Sequence, residues 1–382
     1  MSERVKMAII GAGIMGTDHI QDISTLHNTE LVAVCDVNKA AADHFAAETH
    51  SRAYYDYRDL LEHEPLDAVL VATPHYHHTP SSIAALERGI HVLVEKPIAV
   101  HVNDALKMLA TYEQARQHYP KLVFGAMFKF RTLGHWRKIK AMIDGGELGR
   151  VLRTTWLITD WFRTQRYYDT GGWRATWKGE GGGVLMNQCP HNLDLYQWFV
   201  GLPKHVVGFA SLGKYHHIEV EDEVTAYFEH ENGMIGHFIT STAESPGTNR
   251  LEIVGENGKL VYEDKKLIFY RNQHSMLEQI ERTTAGPFER VPSERLEVSY
   301  EQEVPPRQRL VIENFANAIL HGESIFTPAA EGLNSLMLAN AILLSSLEGK
   351  KIELPLDGDA YEQKLLSLIQ ASALAKNTQP QA

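Results

Sequence analysis

Cysteine is almost missing from this chain: Cys35 and Cys189 are the two present in 382 residues, far apart in sequence. That usage excludes a disulfide framework and fits a reducing compartment. No stretch approaches the ~20 apolar residues that a membrane helix needs. The apolar start Met7–Ile14 is short, runs into glycines and lacks a small-residue cleavage site, so it reads as a buried strand rather than a secretory segment. The expected localisation is cytoplasmic. Positive charge is also scarce, with 37 Lys and Arg against 48 Asp and Glu, a formal net charge of −11 and no basic run. Such a field opposes phosphate backbones and anionic lipid, so neither nucleic acid nor membrane is an expected partner. Internal repeats and low-complexity tracts are absent.

What is present is a globular composition, 44% hydrophobic and 22% charged. The length suits two domains of ~100–200 residues each. From residue 5 to about 125, apolar runs at Lys6–Ile10, Leu31–Cys35, Ala68–Ala72, His91–Glu95 and Leu122–Ala126 alternate with helical patterns at Lys39–Thr49, Thr79–Arg88 and Asn103–Gln117. Strands apolar throughout, alternating with helices, imply a parallel sheet covered on both faces, hence an α/β fold with a doubly wound first domain over 1–126. After a connecting helix at His135–Ile143 the texture changes. Strand-like runs at Val151–Thr159, His205–Leu212, Glu223–His230, Gly233–Ser241, Arg250–Val254 and Lys259–Tyr262 are joined by turns such as Glu256-Asn257-Gly258. They predict an α+β second domain, 127–382, with a large open and mainly antiparallel sheet. Helices over Arg307–Leu320 and Ala330–Glu348 close it, and the polar tail from Asn377 should fray.

The first strand runs into Gly-Ala-Gly-Ile-Met-Gly, placing Gly11, Gly13 and Gly16 in dinucleotide spacing. Glycine allows the tight turn and the close approach of backbone to pyrophosphate, and the following helix N-terminus favours the anion. The second strand ends in Asp36, where a carboxylate accepts both ribose hydroxyls and repels a 2′-phosphate. NAD is therefore expected over NADP, although Lys39 lies three residues beyond Asp36. Gly11, Gly13, Ile14, Met15, Gly16, Asp36, Val37 and Asn38 are the expected contacts of this half of the cofactor.

Strand His91–Glu95 ends in Glu95-Lys96-Pro97, and the residue before a proline is extended, so Lys96 projects from the carboxyl end of a strand. Spacing alone leaves a solvated surface lysine equally open. With Val71-Ala72-Thr73-Pro74 followed by His78, and Gly181-Gly182-Gly183 running into His191-Asn192-Leu193-Asp194, the chain resembles the glucose-fructose oxidoreductase / inositol dehydrogenase family (Gfo/Idh/MocA). The resemblance spans roughly residues 5 to 355. It implies that Lys96 is the catalytic lysine beside nicotinamide and substrate hydroxyl, that Pro97 is cis, and that Thr73, Pro74, His78 and Glu95 line the cofactor cleft. His75 and Arg174 are expected there as well. Dehydrogenase members pair an Asp with a His four residues later; His191 matches the His, but Asn187 stands where the Asp would. An amide can hold a hydroxyl but cannot take a proton, which leaves proton transfer to Lys96 and His191.

A helix starting near Asn187, with Pro190 in its first turn, would put Asn187, His191 and Asp194 on one face, with Asp194 orienting His191. The bland reading has Asn187 as a cap and Leu193, Leu195 and Phe199 as core. Trp156, Trp161, Trp173 and Trp177, four of six tryptophans, cluster with Phe162, Tyr167, Tyr168, Arg163, Arg166 and Arg174. Flat aromatic faces beside cations suit a pyranose ring, though the same residues build cores and interfaces. Lys96, Phe128, Arg131, Trp161, Arg163, Tyr168, Trp173, Asn187, His191 and Asp194 are the expected substrate contacts. His75, His77, His78, His216 and His217 lack metal-site spacing, and no metal is expected. The leading expectation is an NAD-dependent oxidoreductase acting on a ring secondary alcohol of a sugar, glycoside or inositol, working as a homodimer or homotetramer. Redox-neutral glycoside cleavage on a retained cofactor, and a nucleotide-sensing regulator without turnover, are the alternatives.

Asp36 carries a direct test. A hydrogen bond to a charged group contributes ~1.5–3 kcal/mol, so Asp36→Ser should weaken NAD by roughly tenfold or more and narrow its advantage over NADP in paired binding titrations. An unchanged ratio of the two affinities removes the assignment.

Overall fold

The computed structural model describes residues 4–170, 172–301 and 307–372; the tail from Asn377 lies outside them. Six strands form the first sheet: β1 (Val5–Ile10), β2 (Thr29–Cys35), β3 (Arg52–Tyr54), β4 (Ala68–Val71), β5 (His91–Val94) and β6 (Phe124–Ala126). Their order is β3-β2-β1-β4-β5-β6 and every pairing is parallel. Strand alternation divides β1 between two cores. Val5, Met7 and Ile9 pack with Ile20 and Ile23 of helix Ile14–Thr25, while Ala8 and Ile10 join the larger cluster on the other face. Helix Arg307–His321 returns from late in the chain to cover the first of these faces with Val311, Ile312 and Phe315. Three residues with no apolar run make β3, so periodicity missed it; its Cys35↔Tyr54 pairing extends the sheet beyond β2.

The second sheet has nine strands: β7 (Val151–Ile158), β8 (His205–Leu212), β9 (Glu221–Glu229), β10 (Ile235–Ser241), β11 (Asn249–Gly255), β12 (Gly258–Glu263), β13 (Lys266–Asn272), β14 (Ser293–Glu297) and β15 (Ile352–Glu353). The order is β14-β13-β12-β11-β7-β10-β9-β8-β15, antiparallel throughout except for β10 beside β7. The expectation of a mainly antiparallel open sheet holds. The β12–β13 hairpin escaped sequence analysis because its turn uses Asp264 and Lys265 at φ 50° and 59°, positions normally signalled by Asn or Gly. Helix Ala329–Glu348 covers one face, and helix Gly358–Ala371, capped by Asp357 accepting from Asp359 and Ala360 N–H groups, packs beyond it. Among the described residues no helix is long and apolar enough to cross a membrane.

Two expectations about the segment at 184–200 need correction. The chain makes one helical turn over Val184–Asn187, breaks, and restarts as helix Pro190–Val200. Pro190 has no N–H to donate back to the preceding turn, so the hydrogen-bond ladder is interrupted there and Asn187 ends the first turn instead of capping a continuous helix. Asp194 does not orient His191. Its carboxylate is wholly buried and accepts from Arg131 Nε at 2.8 Å and Nη2 at 2.5 Å and from Gln197 Nε2 at 3.2 Å. Burial pushes the Arg131 pKa down, but Asp194 and Glu331 outweigh it and hold the guanidinium charged. Neither Arg131 nor Asp194 is free to bind substrate, because each satisfies the other.

Breaking a buried pair by removing one partner costs ~3–5 kcal/mol. Asp194→Ala should lower the free energy of unfolding by that amount, read as a fall in the denaturant midpoint, and an unchanged midpoint would return Asp194 to the candidate substrate contacts.

Candidate active site

Parallel register is what assembles the site. Ile10 pairs with Cys35 on one side and Val71 on the other, and Val71 pairs with Val94, so Gly11, Asp36, Ala72 and Glu95 leave the sheet along one edge. The order reverses between β1 and β4, the position where open α/β sheets leave a crevice. Gly11 has φ +102°, and a Cβ there would lie 2.6 Å from the Ala72 carbonyl oxygen; one at Gly16 would lie 2.1 Å from that of Gly11. A Cβ at Gly13 would meet nothing within 4 Å, and helix Ile14–Thr25 starts beyond Gly13 with no side-chain cap. This leaves open space in front of uncapped N–H groups. Asp36 accepts from Ala12 N–H at 2.7 Å and Asn38 N–H at 2.8 Å, which fixes its carboxylate beside the turn. Ile14 and Val37, 78% and 79% exposed, flank the turn with apolar surface. Thr73 Oγ1 is buried without a partner. A dinucleotide fits this set: an anion at the helix start, a diol at Asp36 and a flat base between exposed aliphatics.

Beyond the cradle, Glu95 and Lys96 diverge from the end of β5. Glu95 accepts from His19 Nε2 at 2.7 Å and from Lys96 N–H at 2.9 Å. Burial alone would raise its pKa, but His19, Lys96 and His191 outweigh it and hold Glu95 at about 2. Its role is to anchor the lysine's backbone to the first helix, through a histidine that sequence analysis did not select. The Lys96–Pro97 peptide is cis, as the resemblance implied. Lys96 Nζ donates to the Asn187 carbonyl oxygen at 2.9 Å. Its pKa is lowered by burial, then raised by Glu95, lowered by Lys129, raised by Glu180 and lowered by Arg174, for a net fall below 10.5.

His191 is buried, stacked on Phe130 at 4.4 Å and 21° and edge-on to Phe128 at 6.0 Å. Its Nδ1 has no partner, and burial followed by the charges of Lys96 and Lys129 pushes its pKa well below 6.5. Phe128 is wholly buried, so it shapes the histidine's setting and does not face substrate. Asn187 differs from expectation too. Its Oδ1 accepts from Tyr167 OH at 3.2 Å and Gln188 Nε2 at 3.1 Å, and its Nδ2 donates to Glu180. The protein already holds this amide on both ends, leaving one N–H for a hydroxyl.

The aromatic cluster splits by depth. Trp156 is wholly buried against Trp136, Phe199 and Phe238, and Trp177 is buried with its backbone N–H donating to Glu219. Trp161 and Trp173 are half-buried. Arg163 lies over Trp161 and Tyr167, and Arg174 over Tyr167 and Trp173, with Arg174 Nη1 donating to Tyr167 OH at 3.0 Å. Tyr168 turns the other way: it is buried and donates to Thr242 Oγ1 at 2.9 Å, so Tyr167 takes the place expected of Tyr168. His75 donates from Nδ1 to the Glu180 carbonyl at 3.0 Å, and His78 bridges the carbonyls of Pro97 at 2.8 Å and Thr73 at 2.7 Å. Neutral His78 has one N–H and donates to one of these two carbonyls at a time, and both histidines brace the cleft wall. Burial, then His78, holds His75 at about 3. His19, Lys129, Phe130, Gln188 and Glu180 belong to the site yet carry no motif of their own, because they reach it from different parts of the chain: His19 from helix Ile14–Thr25, Lys129 and Phe130 from the short turn Lys129–Thr132, and Glu180 and Gln188 from either side of the turn Val184–Asn187.

Comparison with known proteins agrees with this architecture. A model described as the oxidoreductase family with NAD-binding Rossmann fold matches residues 5–119, and the Gfo/Idh/MocA C-terminal domain model matches 136–261. The uncharacterised oxidoreductase YrbE of Bacillus subtilis is 28% identical over 203 residues, 53% of this chain and 55% of its own length. Inositol 2-dehydrogenase of Salmonella typhimurium is 31% identical over 153 residues, 39% of this chain. The chain thus spans about half the length of these relatives, 44% in the second case. The WlbA dehydrogenase of Bordetella pertussis, crystallised with NADH and UDP-GlcNAcA, superposes with a TM-score of 0.77 at 26% identity, covering 93% of this chain and 100% of its own. The two family models in sequence order, on a parallel sheet with its dinucleotide cradle and a large second sheet, place the chain in the Gfo/Idh/MocA oxidoreductase family, with an NAD-binding Rossmann domain first.

Proposed function

We propose that this protein is an NAD-dependent dehydrogenase passing hydride between nicotinamide and a ring secondary alcohol of a sugar, a glycoside (for example the C3 hydroxyl of a glucoside) or an inositol. The observation that supports it most is Lys96: an amine held at the carboxyl edge of the sheet, one residue past the cofactor crevice, with its pKa below the ordinary 10.5. Bound NAD⁺ supplies the hydride acceptor. Lys96 takes the hydroxyl proton, and a lowered pKa leaves more of the amine unprotonated to do so. His191, neutral by the same burial, accepts or shares a hydrogen bond with the hydroxyl and orients it, while the proton comes to rest on the stronger base. Gly11, Gly13, Ile14, Met15, Gly16, Asp36, Val37, Asn38, Thr73 and Pro74 would hold the cofactor. Trp161, Trp173 and Arg163 would bind the ring by its flat face and rim hydroxyls. Asp36 favours NAD over NADP. A homodimer or homotetramer, formed through the half-exposed face of the second sheet, is the expected assembly; a monomer in light scattering at micromolar concentration would contradict it.

Nicotinamide absorbance recorded over a panel of glycosides, free sugars and inositols should show reduction of NAD⁺ with at least one of them. Consumption of a glycoside with no net absorbance change would assign the redox-neutral course in its place. With an active substrate in hand, Lys96→Ala and His191→Ala should each lower turnover by ~10²–10⁴-fold while leaving NAD binding largely intact.

The pH dependence has a defined sign. Oxidation needs neutral Lys96, so turnover should rise with pH and level off at an inflection below 10.5. A rate that falls across this range would contradict Lys96 as the base.

A further inference from the structure

Position 187 holds an amide where the family resemblance leads to an acid, yet a carboxylate does reach the site from Glu180. Glu180 stands before three glycines in a tight turn, Gly181 at φ +80°, and is almost wholly buried. Its Oε2 accepts from Ala175 N–H at 2.6 Å, its Oε1 from Asn187 Nδ2, and its backbone carbonyl from His75 Nδ1 at 3.0 Å. The Asn187 carbonyl in turn takes Lys96 Nζ at 2.9 Å. One asparagine therefore links the carboxylate and the ammonium, side chain to one and backbone to the other. The charged groups acting on Lys96 are Glu95, Glu180, Lys129 and Arg174, and the neighbouring His75, His78 and His191 are all held below 6.5, burial being the first cause in each case. Glu95 has both oxygens committed to His19 and to backbone. Without Glu180, two cations would face one such anion.

Resting on the dehydrogenase reading, we propose that Glu180 is a positioning residue for proton transfer: held by Ala175 and Asn187, it supplies the negative charge that position 187 lacks and balances Lys96 as that amine becomes charged. In the oxidation the substrate O–H bond breaks and its proton joins the Lys96 lone pair. The C–H bond breaks with its electron pair, reducing NAD⁺ to NADH, and the alcohol becomes a ketone. The chain gains one positive charge on Lys96, and the charge that answers it is the Glu180 carboxylate, whose own pKa is raised by burial against the opposing pull of Ala175 N–H, Asn187, Arg174 and Lys96.

Competitive labelling of Lys96 with acetic anhydride across pH, read by mass spectrometry on the full-length protein, measures its titration without any substrate. Glu180→Gln should move the Lys96 inflection down by about one unit, since an opposite charge nearby raises an amine's pKa by that order. Glu180→Asp, which keeps the charge, should leave it near the wild-type value. The double variant E180Q/N187D moves the carboxylate to 187 and should restore both the inflection and the pH profile of turnover. An inflection unmoved in folded Glu180→Gln overturns the proposal, as does a Glu180→Asp inflection shifted as far as that of Glu180→Gln. If no alcohol in the panel is oxidised by the wild type, the dehydrogenase reading fails, while the labelling still decides whether Glu180 sets the charge of Lys96.

Discussion

One hydrogen bond, from Lys96 Nζ to the Asn187 carbonyl, joins the edge of the parallel sheet to the turn that precedes helix Pro190–Val200. Everything else in the cleft serves its two ends. On the lysine side, Glu95 fixes the backbone N–H and is itself fixed by His19 from the glycine-loop helix, so the Lys96 amine and the cofactor cradle share one support. On the asparagine side, Glu221 on β9 accepts from Gly183 N–H at 2.8 Å and Leu185 N–H at 3.0 Å, gripping the glycine turn from below. A Cβ at Gly183 would lie 2.0 Å from the Glu221 carbonyl oxygen, so only glycine lets the turn come so close to the second sheet.

Buried charge is the recurring cost of this arrangement. Desolvation raises Glu180, Asp194 and Glu221, the last to about 7, and lowers Lys96 and His191. Each is met differently. Asp194 has a guanidinium, Glu95 a histidine, and Glu221 two backbone donors, arrangements that give rigid walls. Lys96 has a carbonyl, a weaker partner that leaves its protonation state responsive to its neighbours, as the proposed role of proton acceptor requires. His191 has an aromatic face and an unpartnered Nδ1. Among these buried ionisable groups, Lys96 and His191 have the least complete polar pairing, and they are the two assigned to the proposed chemistry.

Local sequence determined the parts that depend on short-range physics. The glycine spacing, Asp36 at the end of β2 and Lys96 at the end of β5 were legible, because strand ends, tight turns and pre-proline geometry are set within a few residues. Apolar periodicity located β1, β2, β4, β5 and β6 for the same reason, and failed at β3 and at the Asp264-Lys265 turn, where pairing partners and not local preference hold the conformation. Only the tertiary structure could decide what surrounds each reactive group. It turned Asp194 to Arg131, sank Trp156 and Phe128 into the core, exchanged Tyr168 for Tyr167, and brought Glu180 to Asn187 across a glycine turn. Residue type and spacing state which hydrogen bonds a side chain can make. Which it does make follows from competition among donors and acceptors that meet in space, and burial makes that competition decisive, because an unpaired polar group away from water costs more than any local preference supplies.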